Sequence, residues 1–189
     1  MSQPQAAQQA KLIAGLLFGD FQIQEHALLE LEQDFGALDF LTEPEPFIYT
    51  TYYESEMGTG LYRQTVAFLD LVSPEVLPDI KLLTNALEQK LALSDKKRRV
   101  NIDPGLLSDE RLILATGKNY THRIYLRSGI YADLTLIYQK GRYWPLPWTY
   151  PDYQTPRILH FFGVLRQKLI FQRTGRLPCK AVQGLRRKP

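Results

Sequence analysis

The order of strand-type and helix-type segments in the first half of the chain most limits what it can fold into. Residues 12–18 are apolar on both faces, which is typical of a central strand. Asp20 stands where a helix N-cap belongs, apolar residues recur at helical spacing from Ile23 to Phe35, and Gly36 ends the helix. The remaining predicted elements are strands at 47–53, 61–72 and 98–103 and a helix at 78–91. The order strand, helix, strand, strand, helix, strand predicts an α+β fold with a ferredoxin-like, split βαβ core.

The second half of the chain predicts an extension of that core. Ser108 is expected to cap a short helix at 108–115, and a three-stranded antiparallel meander follows. A C-terminal helix begins after Thr155-Pro156, which is a cap followed by proline at the first helical position, and ends at Gly175. The fold is therefore expected to be a ferredoxin-like core extended by a meander and closed by one helix.

Two glycine-bearing segments set the predicted register of the meander. Residues 127–129 and 139–141 are both interpreted as three-residue hairpin loops with glycine in the left-handed position. The first loop places Tyr125 opposite Tyr131 and Arg123 opposite Asp133, and the second places Trp144 beside Leu136. One face is then apolar and expected to be buried; it comprises Ile124, Leu126, Ile130, Ala132, Leu134, Leu136, Trp144 and Leu146.

Length and charge indicate how the chain is divided. Its 189 residues, 44% of them hydrophobic and 23% charged, suit one globular domain, predicted at 11–173 after a flexible N-terminal segment at 1–10. Six basic residues and no acidic one lie from Arg173 to the end, so the rest carries 17 basic against 20 acidic residues. The tail at 174–189 is expected to be a disordered basic segment that is either solvated or in contact with nucleic acid.

Several familiar functional classes are excluded by missing motifs. The chain has no Walker phosphate loop and no Gly-x-Ser-x-Gly elbow, and its three histidines do not have metal-binding spacing. Its single cysteine, Cys179, cannot form an internal disulfide, so a cytoplasmic location is expected. No apolar run is long enough for a membrane helix, and no targeting signal is expected. The sequence identifies no cofactor, no metal site and no oligomeric state.

Polar residues that simple packing does not require are the candidates for chemistry. On the second predicted helix, Lys81, Asn85 and Glu88 lie roughly 80–140° from Ile80, beside the apolar stripe. They either form a solvated face or point into a cleft at the edge of the core.

Two further groups stand on or between predicted strands. Glu54 and Glu56 flank the turn after the aromatic strand, and Arg63 enters the next strand. Asn101 and Asp103 share one polar face of the strand at 98–103. Acid–base chemistry or cation binding is one interpretation of the carboxylates. Alternatively, Glu54, Glu56 and Arg63 are charges of a loop without a function, and Asn101 and Asp103 lie on an exposed face of a strand.

Two later segments are dense in functional groups. In 118–123, Lys118, Asn119 and Arg123 can hold a phosphate or carboxylate, and His122 can act as acid or base. His122 is alternatively a hydrogen-bonded core histidine, and Arg123 a cross-strand partner of Asp133. In the proline-rich segment 145–153, Trp148, Tyr150 and Tyr153 offer rings that either stack on a base or sugar or pack over the sheet edge.

These segments resemble one bacterial protein family. The resemblance lies in YYESEMG from Tyr52, IKLLTN from Ile80 with Glu88, and RVNIDPG from Arg99, continued by KNYTHRIYL from Lys118, GIYADLTL from Gly129 and PLPWTYPDY from Pro145. They are similar to the motifs of the uncharacterised family catalogued as domain of unknown function 4416, over residues 11–173. Asp133 and Arg127-Ser128 depart from the family pattern, where glutamate and a glycine-bearing turn are expected. The resemblance implies a single-domain soluble bacterial protein and brings no established activity.

Three functional hypotheses follow. The first is binding of a small phosphate-bearing ligand, for example a nucleotide, with Lys81, Lys118 and Arg123 on the anion. Asn85 and Asn101 then orient the ligand, and Trp148 or Tyr150 stacks on it. The further expected contacts are Glu56, Arg63, Glu88, Asn119 and Asp133. The second is a hydrolase or lyase with Glu54, Asp103 and His122 in acid–base roles, and the third is an RNA- or partner-binding module that uses the tail.

Overall fold

The computed structural model describes residues 3–93, 97–176 and 178. Its helices are α1 (Phe21–Phe35), α2 (Glu54–Met57), α3 (Leu77–Lys90) and α4 (Pro156–Thr174). Its strands are β1 (Ala10–Phe18), β2 (Leu38–Leu41), β3 (Glu45–Pro46), β4 (Tyr62–Val72), β5 (Val100–Leu107), β6 (Arg111–Thr116), β7 (Arg123–Arg127), β8 (Ile130–Gln139) and β9 (Arg142–Pro145). Cys179 and most of the basic tail, predicted to be disordered, lie outside the described residues.

The described strands form one antiparallel sheet with helices on both faces, which confirms the α+β class. The main strand order is β2-β4-β1-β5-β6-β8-β7, and β3 pairs with β4 and β9 with β8. β7 and β9 share one edge of β8, since β6 pairs along the other edge. No helix in the described part of the chain is both long and apolar enough to cross a bilayer.

β1 is the centre of the core, and all nine of its residues are buried. Because side chains alternate across a strand, its even-numbered residues pack against α1 and α3, together with Ile23 and Ile80. Ile13 points to the opposite face and packs with Phe162 of α4. Burial on both faces explains why the sequence of this strand is continuously apolar.

Local signals at helix ends and in the long strands are confirmed. Asp20 accepts a hydrogen bond from the Gln22 backbone at 2.8 Å, and Gly36 follows the end of α1 with a φ of 86°. Thr155 caps α4, and Gly175 ends it in the left-handed conformation. The predicted strands at 12–18 and 61–72 and the helix at 78–91 correspond to β1, β4 and α3.

Two predicted elements are wrong. Residues 47–53 form no strand; they form an irregular segment whose rings pack edge to face, with centroids of Tyr52 and Tyr53 5.1 Å apart. Residues 108–115 form no helix, because Ser108 begins a tight turn in which its N–H donates to the Arg111 carbonyl at 2.9 Å. The chain returns as β6, where Leu112 and Leu114 are buried between neighbouring strands. Sheet pairing thus overrides the apparent N-cap signal.

The register of the meander is correct at one hairpin and wrong at the other. Both loops contain two residues rather than the expected three. Each loop consists of a residue with positive φ, 54° at Ser128 and 50° at Lys140, followed by a glycine with positive φ. In the first hairpin a bulge restores the predicted pairing of Arg123 with Asp133 and of Tyr125 with Tyr131.

No bulge corrects the second hairpin. Ile137 therefore pairs with Trp144, and Leu136 pairs with Pro145. A shift of one residue reverses the faces of a strand, so Tyr143 is buried and Trp144 is 37% exposed. The expected apolar face is also open at β7, where Ile124 is 70% exposed.

A separation between two strands positions the candidate site. β5 pairs with β6 only over Gly105, Leu106 and Leu107, and among the described residues no strand covers this edge of β5 at 100–104. Gly105 permits the close approach, because a Cβ there would lie 2.5 Å from the Ile113 carbonyl oxygen. β5 also continues to Leu107 rather than ending at Asp103.

Candidate ligand-binding cleft

The separation of β5 from β6 opens into a cleft with a volume of about 630 Å³. Cavities of this size, with aromatic walls and a few polar groups, accommodate small ligands and cofactors. We call one part of its wall the floor, formed by Arg63, Lys81, Glu88, Arg98, Asn101, Asp103 and Asp152. We call the part that carries the exposed side chains of Tyr52, Lys118 and Tyr150, together with Arg123 and Asp133, the lip.

Two side chains of α3 take the place of the missing strand beside β5. The Lys81 ammonium donates to the Ile102 carbonyl at 2.7 Å, and the Ile102 N–H donates to a Glu88 carboxylate oxygen at 2.7 Å. A buried strand edge must satisfy its backbone groups, and these two residues do so while lining the cleft. Burial raises the pKa of Glu88, and the nearby Lys81 charge partly opposes that rise.

Arg98 joins three separate segments of the floor. Its guanidinium forms a bidentate pair with Glu56 at 2.8 and 2.7 Å. It also donates to Glu88 at 3.2 Å and to the Asn101 side-chain oxygen at 2.8 Å. The hydrogen bond to Glu56 is the largest influence that raises the pKa of Arg98. α2, which carries Glu56, is thereby tied to α3 and β5.

Arg63 is the second hub and is only 13% exposed. It donates to the Tyr153 hydroxyl at 2.8 Å and to Asp103 at 3.3 Å, and its Nε lies 3.2 Å from an Asp152 oxygen. Gly15 makes this arrangement possible, because a Cβ there would lie 2.6 Å from an Arg63 nitrogen. The guanidinium therefore crosses the sheet directly over a residue without a side chain.

Burial shapes the titration of these groups. Burial alone lowers the pKa of Arg63, but Tyr153, Asp152 and Asp103 together raise it above its ordinary value. Burial also raises the pKa of Asp152, and it raises the pKa of Tyr53 to about 12. The Arg63 guanidinium and the Tyr53 hydroxyl therefore keep their protons at neutral pH.

The lip combines an exposed lysine, Lys118, with a largely buried ion pair between Arg123 and Asp133. The Lys118 ammonium donates to the Tyr52 hydroxyl at 2.9 Å, and this bond lowers the pKa of Tyr52. Arg123 donates to Asp133 at 2.8 Å, to the Lys118 carbonyl at 3.0 Å and to the Tyr150 hydroxyl at 3.2 Å. The described ion-pair contacts give these two cations one carboxylate, Asp133.

His122 and Trp148 support the lip. His122 Nε2 lies 3.3 Å from the Asp133 carboxylate, and its ring stacks on Trp148 with centroids 4.8 Å apart. The Trp148 indole N–H donates to the Leu134 carbonyl at 2.7 Å. Trp148 is not among the residues that line the cleft. Its ring instead fixes the histidine behind Asp133.

The cleft brings together most of the side chains that the sequence singles out. Those on its wall are Arg63, Lys81, Asn85, Glu88, Asn101, Asp103, Lys118, Arg123, Asp133 and Tyr150. Glu56 and His122 stand behind the wall, bonded to Arg98 and Asp133. Glu54, Asn119 and Trp148 are not among the lining residues.

Sequence reasoning misses Arg98 and three aromatic or acidic neighbours, Tyr52, Tyr53 and Asp152. The sequence pattern places Arg98 only at the start of a strand, because its role depends on Glu56, 42 residues away. It places Tyr52 and Tyr53 in a strand that does not form. Asp152 is adjacent to Tyr153, whose ring the sequence does single out and which also lines the cleft. Among the described residues, no group of three or more His, Cys, Asp or Glu side chains is arranged to hold a metal ion.

Comparison with known proteins agrees with the motif resemblance. A family model described as "Domain of unknown function (DUF4416)" matches residues 8–169. No curated protein and no solved structure matches the chain. The matched segment includes every strand, every helix start and every residue of the cleft, and the chain therefore belongs to the family of domain of unknown function 4416.

Proposed function

We propose that the cleft binds a small phosphate-bearing ligand, with the phosphate held by Lys118 and Arg123. The observation that carries this proposal is the unequal distribution of charge between lip and floor. Both parts line one cavity of about 630 Å³, which is within the range of small-molecule sites. The cavity can admit a ligand that reaches from one part to the other.

The floor offers little attraction to an anion. Its three cations, Arg63, Lys81 and Arg98, each lie within 4 Å of at least one carboxylate of the floor. With Glu56 bound to Arg98 from behind, these cations face four carboxylates in all. An added phosphate there would meet a net negative charge.

The lip has the opposite balance. Lys118 and Arg123 face Asp133, which leaves one positive charge in excess. Two Arg123 N–H groups and the Lys118 ammonium are bonded to neutral acceptors, the Lys118 carbonyl and the hydroxyls of Tyr150 and Tyr52. A phosphate oxygen can replace these weaker acceptors in charge-assisted hydrogen bonds. Tyr52 and Tyr150 also present exposed rings to a ligand.

A thermal-shift screen tests the proposal. Each phosphorylated compound is paired with its dephosphorylated counterpart, for example AMP with adenosine and glucose 6-phosphate with glucose. A compound present at a hundredfold excess over its dissociation constant stabilises the protein by about 2.7 kcal/mol. We expect stabilisation by phosphorylated members only, and its loss in Lys118→Gln but not in Lys140→Gln, which changes an exposed turn lysine. Equal shifts within each pair would contradict the proposal.

The acid–base alternative receives less support from the geometry. Asp103 lies on the floor, whereas Glu54 lies off the wall, and the described ion-pair partner of His122 is a single carboxylate, Asp133. The RNA-binding alternative depends on the tail, most of which lies outside the described residues. Binding of a small ligand is therefore the function we propose.

We also propose that the N-terminal half is a ferredoxin-like unit within a single cytoplasmic domain. The order β5-β1-β4-β2, antiparallel throughout and with α1 and α3 as crossovers, supports this interpretation of the fold.

A further inference from the structure

Two polar groups of the cleft have hydrogen-bonding capacity that the protein does not use. The Asn85 side chain lines the cleft, is half-buried, and makes no hydrogen bond to any residue that the structure describes. Asp103 accepts from Arg63 and Asn101 through Oδ2 only. Its Oδ1 has Lys81 Nζ at 3.8 Å, which is too long for a hydrogen bond.

The chemistry of these two groups selects what can occupy them. A carboxylate oxygen only accepts, and an amide both donates and accepts. A hydroxyl fits both, because it can donate to Asp103 Oδ1 and accept from Asn85 Nδ2. An ammonium fits less well, because it leaves the Asn85 amide N–H groups without an acceptor and lies beside the Lys81 ammonium, whose Nζ is 3.8 Å from Asp103 Oδ1. A second anion is disfavoured by the carboxylates of the floor.

We infer, on the basis of the proposed function, that the ligand is a sugar phosphate whose ring hydroxyls bind Asp103 and Asn85. The phosphate lies at the lip, and the hydroxylated ring extends toward the floor within the same cavity. The inference follows from the two unused polar groups and from the charge difference between lip and floor. It applies to free sugar phosphates and to the sugar phosphate part of a nucleotide.

Isothermal titration with two kinds of phosphate monoester tests the inference. Ribose 5-phosphate and glucose 6-phosphate carry ring hydroxyls. Ethyl phosphate carries the same phosphate monoester group but no hydroxyl. Hydrogen bonds to charged partners contribute about 1.5–3 kcal/mol, so a sugar phosphate should bind about 10- to 100-fold more tightly than ethyl phosphate. Asp103→Asn should reduce that ratio about tenfold, and Asn85→Ala, which loses a hydrogen bond between neutral groups, about 2- to 10-fold. Gln89→Ala, at an exposed position of the same helix outside the wall, should leave the ratio unchanged.

The variants separate failure of this inference from failure of the proposed function. Lys118→Gln should weaken both kinds of ester by a similar factor and leave their ratio unchanged. If ethyl phosphate binds the native protein as tightly as both sugar phosphates, the inference is wrong and phosphate binding stands. If no ester binds at about 5 mM, both are wrong. Asn85→Ala places a good helix former on α3, so this variant should fold. It therefore tests the inference even if Asp103→Asn disturbs the network around Asp103.

Discussion

Replacing Gly15 by alanine tests how rigidly the cleft holds Arg63. The new Cβ would lie 2.6 Å from Arg63 Nη2, 2.9 Å from Arg63 Cζ and 2.7 Å from the Tyr153 hydroxyl oxygen. Such distances are shorter than van der Waals contact, so the guanidinium or the tyrosine must move. Both groups are largely buried between β1 and the segment before α4, where little space is available.

The expected cost follows from the bonds that this movement breaks. Arg63 would lose its hydrogen bond to Tyr153 and part of its pairing with Asp103. A hydrogen bond to a charged group contributes about 1.5–3 kcal/mol, whereas exchanging glycine for alanine in a strand gains about 0.5–1 kcal/mol. We therefore expect Gly15→Ala to lower the free energy of unfolding by about 1–2 kcal/mol.

Urea unfolding followed by tryptophan fluorescence measures this change. Gly163→Ala is the matched control, because nothing lies within 4 Å of a Cβ added in the interior of α4. That variant should gain about 0.5–1 kcal/mol. In an Arg63→Ala, Tyr153→Phe background, which removes both the guanidinium and the hydroxyl, the cost of Gly15→Ala should disappear. A cost that persists in that background, or a Gly15→Ala variant that is more stable than the native protein, would refute the close packing described here.

Four other variants test the charges, the capping and the register. Burial raises the pKa of Glu88, so the native state keeps the Glu88 proton to higher pH than the unfolded chain does. The unfolding free energy of the native protein, relative to that of Glu88→Gln, should therefore rise as pH falls from 7 toward 4.5. A constant difference in urea titrations would contradict this. Thr155→Ala removes the N-cap of α4 and should cost about 1 kcal/mol, seen as a lower Tm. Tyr143→Phe removes a buried hydrogen bond to a turn carbonyl and should cost about 1 kcal/mol. By contrast, Trp144→Phe at a partly exposed site should cost less than about 0.5 kcal/mol, and the reverse ranking would favour the register predicted from sequence.

The parts of the fold that sequence predicts correctly are those encoded within a few residues. α1 has a cap at Asp20 and a glycine at its end, and both signals act over one helical turn. Burial on both faces of β1 is visible in seven consecutive apolar residues. Residues 108–115 show the opposite case. Ser108 resembles a helix N-cap, but β5 and β8 flank these residues and supply strand partners that the cap signal does not reveal.

The same distinction applies to the candidate site. Lys81, Asn85 and Glu88 are identified from sequence because their position beside an apolar stripe is a property of one helix. Arg98 is not, because its importance depends on Glu56, which lies on another element. The second hairpin shows how small the missing information is. A turn of two residues instead of three exchanges which of two adjacent aromatic side chains is buried.

The arrangement of the cleft determines where binding free energy can arise. On the floor, Arg98 is bonded to Glu56 and Glu88, and these contacts exist before any ligand enters. Such a wall is preorganised, so a ligand need not spend binding energy in ordering it. The same pairing leaves little net charge there with which to attract a phosphate. Attraction must then come from the lip, where Lys118 is exposed and bonded to a neutral hydroxyl. Because salt screens exposed charges more than partly buried pairs, added salt should weaken ligand capture by Lys118 more than it weakens the ion pairs of the floor.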